Sequence, residues 1–191
     1  AGPSDMTIIG LQSKASQLRG SGAGQVFQTS ISEGLFNPDS QIPLASVNDA
    51  PRDLVVADFN KDGHPDFVVL LANEQIELQL GIGGGKVGFQ AGPAGGVFGT
   101  AGSELGFKMA VADVNRDGFL DIMAAFPTKI RYFQSAGASA PDDFTNVVDF
   151  SQTDGDQIGS VELVDVNRDG FLDIVTLGDN LGFGDTGRVR V

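Results

Sequence analysis

Val111–Ile122 reads VADVNRDGFLDI, Leu163–Ile174 reads LVDVNRDGFLDI, and Val56–Phe67 reads VADFNKDGHPDF. Counted from its first aspartate, each copy places Asp, Asn, Asp and Asp at positions 1, 3, 5 and 9 and Gly at position 6. The first aspartates are Asp58, Asp113 and Asp165, spaced 55 and 52 residues apart. Each phrase is flanked by short apolar runs, DLVVAD, KMAVAD and SVELVD before it and DFVVLLA, DIMAAFP and DIVTLGD after it. These runs are rich in Val, Ile, Leu and Phe and are bounded by turn residues. They are also too short for ordinary helices, so they read as strands joined by an acidic hairpin loop.

A third run follows at a regular offset: QIELQL from Gln75, KIRYFQ from Lys129 and GRVRV from Gly187. Its polar–apolar alternation suits a half-exposed strand. A weaker fourth follows two of them, KVGFQA from Lys86 and FTNVVDF from Phe144. A period in the low fifties with four strands per unit is the size of a β-propeller blade. The expected fold is therefore all-β, with blades of four antiparallel strands and three to four blades present. The units are a partial blade over 1–49 (MTIIGLQ from Met6 and GQVFQTSI from Gly24 as outer strands), blades over 50–100 and 101–153, and a partial blade over 154–191. Closed propellers take four to eight blades, so the chain is expected to be a segment of a larger propeller or one part of a multi-chain ring.

The phrase itself is a cation site in outline. The side chains of Asp58, Asn60, Asp62 and Asp66, with the carbonyl of His64, form one oxygen-rich set. Asp113, Asn115, Asp117 and Asp121 with Phe119, and Asp165, Asn167, Asp169 and Asp173 with Phe171, repeat it. Calcium takes six to eight mixed oxygen ligands, whereas magnesium demands a tight octahedron and keeps its waters. An EF-hand would need a bidentate Glu at position 12 between helices, but that position holds Val69, Ala124 or Thr176. Turn chemistry alone accounts for Asp, Asn and Gly in a loop, but not for three identical spacings. About three calcium ions are expected, one per loop, each bound without regard to the others.

Composition sets further bounds. The net charge is −13 and 41 % of residues are hydrophobic, with a pI near 4.2. Such acidity repels phosphates, which argues against nucleic acid and anionic membrane surfaces as partners. Cysteine is absent, which excludes disulfides and zinc–thiolate sites. No run approaches the ~18 apolar residues of a membrane span. The chain begins at Ala1 without a leader-like segment and reads as a mature product or a fragment. Glycine-rich GIGGGKVGF from Gly81 misses the phosphate-loop spacing, DFSQT from Asp149 lacks companion metal loops, and NRDG is in the wrong order for an attachment tripeptide. With His64 as the sole histidine, no Ser-His-Asp set can be built, and no enzymatic activity is expected.

ELGFKMAVADVNRDGFLDIMAAFP, Glu104–Pro127, resembles the FG-GAP/VCBS repeat family, the calcium-binding blades of integrin α-subunit propellers and of extracellular bacterial and fungal proteins. The resemblance extends over roughly Ala50–Val191. It implies a calcium-loaded propeller, secreted or at the cell surface, that serves adhesion or recognition of a glycan or protein. It also leaves open a scaffold in a surface or matrix assembly, or an accessory propeller of a polysaccharide-degrading enzyme. Other propeller segments or further copies of the chain are the remaining expected partners. The chain differs from integrins in lacking cysteines and N-x-S/T sequons and in its small number of repeats.

Overall fold

The computed structural model describes residues 25–30, 35–44, 50–83, 88–152, 157–179 and 188–191. Among them there is no α-helix, only antiparallel strands and two 3-10 turns, Pro93–Gly96 and Gly137–Ser139. Strand β1 (Gln25–Ser30) pairs with β2 (Leu35–Pro43) as a two-stranded sheet. The run at Gly24 is thus a strand, as expected, but its described partner is β2. That segment holds Pro38 and Asp39, both poor strand formers, so its sequence does not suggest a strand. The run expected at Met6 lies outside the described residues.

The first complete sheet comprises β3 (Pro51–Ala57), β4 (Asp66–Leu71), β5 (Ile76–Gly81), β6 (Phe89–Ala91) and β7 (Val97–Phe98). The second comprises β8 (Lys108–Ala112), β9 (Asp121–Phe126), β10 (Lys129–Gln134) and β11 (Asn146–Ser151), hydrogen-bonded in that order. The third comprises β12 (Gln157–Val164), β13 (Asp173–Asp179) and β14 (Arg188–Arg190). All three acidic phrases join strands in the same register. The residue before position 1 pairs with the aspartate at position 9, as Ala57↔Asp66, Ala112↔Asp121 and Val164↔Asp173.

The fourth strand of the first sheet is split. β6 pairs with the end of β5 and β7 with its start. Pro93 has no N–H to give to a ladder, and Gly95 and Gly96 adopt φ of 79° and 78°, so the chain turns out of the sheet between them. Gly96 is also fixed by space, because a Cβ there would press into the Leu78 carbonyl oxygen on β5.

Strand alternation stacks the sheets. Val68 and Leu70 of β4, with Ile76, Leu78 and Leu80 of β5, pack on Met109, Ile122, Ala124, Phe126 and Phe133 of the second sheet. The opposite residues of that second sheet, Ala110, Met123, Ala125, Ile130 and Tyr132, meet Ile158 and Val161 of β12. With both faces covered, β4 and β9 are buried along their whole length, which is why DFVVLL and DIMAAF read as unbroken apolar runs rather than alternating ones. Phe144 closes the first seam, edge-on to Phe59 at 5.9 Å and to Phe98 at 5.6 Å. The third sheet leaves Val164, Leu177 and Val189 46 %, 52 % and 69 % exposed.

Candidate metal centre

Each acidic loop is wound tightly enough that its side-chain oxygens turn inward. Position 6 lies in the left-handed region, with φ of 84°, 89° and 86° at Gly63, Gly118 and Gly170, where a side chain would be strained. Position 4 joins it although it is not glycine, with φ of 60°, 61° and 64° at Lys61, Arg116 and Arg168. The two reversals bring the N–H groups of positions 5 to 7 toward the side chains of positions 1, 3 and 5.

In the first loop, Asp62 N–H donates to both Asp58 Oδ1 (3.1 Å) and Asn60 Oδ1 (3.0 Å). Two oxygens on one donor stand close together, so positions 1 and 3 converge. Gly63 N–H donates to Asp58 Oδ2 at 2.9 Å and His64 N–H to Asp62 Oδ1 at 2.8 Å. The third loop repeats this: Asp169 N–H donates to Asp165 Oδ1 and Asn167 Oδ1, and Gly170 and Phe171 donate to Asp165 and Asp169. In every loop the Asn amide also donates to the position 5 carboxylate, at 2.9, 2.9 and 3.0 Å. These bonds hold the exposed Asp62 carboxyl below its ordinary value, with the Asn60 amide the largest cause and the His64 N–H next.

The second loop differs in one atom. Asp113 Oδ2 accepts from Gly118 N–H at 2.8 Å, but Asp113 Oδ1 is buried and has no hydrogen-bond partner. A buried carboxylate oxygen without a donor is costly, and a cation in the loop would satisfy it. Among the described residues no three His, Asp or Glu side chains form a metal-holding cluster by themselves. The loops are mixed sites in which an amide oxygen, a backbone carbonyl and water would have to complete a carboxylate pair, a ligand mixture that suits calcium. The residues present fit such an ion.

Position 9 has a role that the spacing did not reveal. Asp66 and Asp121 are fully buried and brace the loop from beneath. Asp66 accepts from the N–H groups of Phe59 (2.8 Å) and Asn60 (3.4 Å) and, across the sheet, from Gly81 (2.8 Å). Asp121 accepts from Val114, Asn115 and Ser135 N–H and from the Tyr132 hydroxyl, the last at 3.0 Å. Burial raises both carboxyls above their usual value, and these donors offset part of the rise. The Tyr132 phenol is raised as well, first by burial and then by Asp121. Position 7 contributes its N–H to position 5 in each loop, while the His64 ring packs against Gly83.

A second charged cluster, unforeseen in the sequence, lies at the opposite end of the strands. Lys129 Nζ is 2.7 Å from Glu74 Oε2 and 3.5 Å from Glu104 Oε1. Arg131 Nε and Nη2 donate to the two Asp149 oxygens at 2.7 and 2.8 Å. Thr128 caps Glu104 through its N–H and hydroxyl. Burial acts to raise the Glu74 carboxyl, but Lys129 and the Glu104 N–H outweigh it, and the group lies below its ordinary value. The cluster ties the first two sheets together, and its donors and acceptors are mutually engaged.

No curated protein matches the chain. No helix among the described residues is long and apolar enough to cross a membrane. The family model described as FG-GAP-like repeat matches residues 58–124 and again 113–176, each match spanning two successive acidic loops. Taken with the three equivalent hairpins on stacked antiparallel sheets, this shows that the chain belongs to the FG-GAP-like repeat family.

Proposed function

We propose that this chain is an extracellular calcium-binding β-propeller module for adhesion or recognition of a glycan or protein. The observation that carries the calcium reading is the buried, unpartnered Asp113 Oδ1 inside a loop whose design occurs three times. Asp58, Asn60 and Asp62, their counterparts Asp113, Asn115 and Asp117, and Asp165, Asn167 and Asp169 would hold the ions. The carbonyls of His64, Phe119 and Phe171 would join them, with Asp66, Asp121 and Asp173 closing each loop from below. Calcium would supply rigidity: three divalent ions cancel six of the 13 net negative charges and fix the loop face as a recognition surface. Catalysis is not part of this reading, because the one histidine side chain packs on Gly83 and the carboxylates of the second charged cluster are each held by Lys129, Arg131 or Thr128.

The exposed apolar residues on the outer face of the third sheet favour a role as part of a larger propeller or ring, and with it the scaffold reading. The face of each earlier sheet that carries the equivalent residues is covered by its successor.

The test is a calcium titration with thermal unfolding in calcium and in EDTA. About three ions per chain are expected. A single loop at a hundred-fold excess over its Kd contributes about 2.7 kcal/mol, or about 5–10 °C in Tm. An unchanged melt and no bound calcium would overturn the reading. A glycan array with the loaded protein then separates a lectin-like module from a protein-binding or scaffold one.

A further inference from the structure

Position 4 of one loop reaches position 7 of the next. Lys61 Nζ lies 4.2 Å from the centroid of the Phe119 ring, and Arg116 Cζ lies 3.8 Å from that of Phe171. Both distances are well inside the ~6 Å range of a cation–π contact. The position 6 glycines lie directly beside these contacts. A Cβ on Gly118 would sit 3.7 Å from Lys61 Nζ, and one on Gly170 would sit 3.2 Å from Arg116 Nη2. Position 6 thus lies beneath the neighbour's cation, at ordinary contact distance in Gly118 and closer in Gly170, while its glycine is required by the turn of its own loop. The left-handed backbone at position 4 is common to Lys61, Arg116 and Arg168 and belongs to the loop itself, placing the position 4 side chain between two expected ligands.

We infer that Lys61 and Arg116 are positioning residues for the neighbouring loop, so that cations load the three loops in a coupled manner. The inference rests on the calcium reading above. Position 7 is the residue whose carbonyl is the expected ligand. A loop ordered by its ion fixes its own position 4, and the cation there fixes the ring, and with it the backbone, of position 7 in the next blade. Coupling of this kind is reciprocal. An exposed cation–π contact corresponds to about a two- to five-fold change in affinity per clasp. This replaces the expectation of three independent ions.

The experiment is a calcium titration of the full chain followed by amide NMR. The N–H groups of Gly63, Gly118 and Gly170 each donate to the position 1 carboxylate of their own loop and report the loops separately. The charge-neutral variants F119L and F171L are decisive, because removing Lys61 or Arg116 would also remove a charge that repels calcium. F171L should move the Gly170 midpoint and, by reciprocity, the Gly118 midpoint to about two- to five-fold higher calcium and leave Gly63 nearly in place. A Gly170 midpoint that moves alone would be a local effect of position 7 and would overturn the coupling. F119L should move Gly118 and Gly63 together and leave Gly170 nearly in place. In a cycle with R116Q, F171L should add no further loss of coupling, whereas R116K should retain part of it. Midpoints unmoved in both Phe variants, or all three moved equally, would overturn the coupling while the calcium reading stood. If calcium perturbs none of the three amides in the wild-type chain, the calcium reading fails and the inference fails with it.

Discussion

Arg131 and Glu74 meet across the seam between the first and second blades. Arg131 Nη2 is 3.3 Å from Glu74 Oε2, and Nη1 donates at 2.9 Å to the Glu74 backbone carbonyl. The same guanidinium forks onto Asp149, so one side chain ties a turn of the first sheet to the outer strand of the second. Arg131 is 7 % exposed, and the carboxylates it faces cannot recover water easily when it is lost.

Replacing Arg131 with Met should therefore destabilise the chain by about 3 kcal/mol, the lower end for breaking a buried ion pair, because Lys129 still faces Glu74. Arg131→Lys should recover little of this, since an ammonium cannot reproduce the fork onto Asp149 and also reach the Glu74 and Thr100 carbonyls, to which Arg131 Nη1 donates at 2.9 and 3.2 Å. Urea unfolding reads both values, and losses under about 0.5 kcal/mol, the range of an ordinary surface change, would assign the cluster no role in stability.

Acid should dismantle the same cluster. Asp149 is held below its ordinary value of 3.8, chiefly by Arg131. Glu74 lies below 4.5 because Lys129 and the Glu104 N–H outweigh burial. A carboxyl with a lowered folded pKa contributes stability above its unfolded value and loses it as pH falls through the folded one. Asp66 and Asp121, raised by burial, act in the opposite sense and favour the folded chain when protonated. The readout is therefore a difference: in EDTA, the Tm gap between wild type and the E74Q/D149N double variant should narrow as pH drops from 5 toward 3 (about the carboxylate range). A gap that holds constant across that range would refute the assignment.

Positions 5 and 9 should part company without metal. Asp121→Asn faces three N–H donors with an amide and should cost about 2–3 kcal/mol in EDTA, as buried donors lose their acceptor. Asp117 is exposed, and Asp117→Asn should change the EDTA melt by less than about 0.5 kcal/mol while removing about one bound calcium. Equal effects of the two variants in EDTA would show that position 9 is not the internal brace of the loop.

Gly95 and Gly96 form a matched pair, with φ of 79° and 78°. A Cβ on Gly95 meets nothing within 4 Å, whereas one on Gly96 presses into the Leu78 carbonyl. Gly95→Ala should cost about 1 kcal/mol from backbone strain, and Gly96→Ala about 3 kcal/mol or more, with β7 released from β5. Similar melts for the two variants would mean that the close approach of the backbones is not limiting.

Much of this chain is legible locally. The three phrases and their flanks give β3 and β4, β8 and β9, and β12 and β13, because an apolar run, a turn and a second apolar run are all short-range signals. Oxygens at positions 1, 3 and 5 converge because a nine-residue loop with Gly at position 6 has few ways to fold. Less legible were β2, whose proline and aspartate mask it, and the split of the fourth strand into β6 and β7, which depends on how closely Gly96 must pass Leu78.

The sequence by itself determined the all-β class, the repeat and the set of oxygen donors in each loop, since these depend on residues a few positions apart. The tertiary structure alone decided that Asp66 and Asp121 brace the loops from within and that Lys61 and Arg116 dock on Phe119 and Phe171. It also decided that Arg131 locks onto Glu74, 57 residues away in sequence. Those contacts form only when stacked sheets bring equivalent positions of successive blades together. Burial then sets their strength, and no local pattern records which residues will be buried side by side.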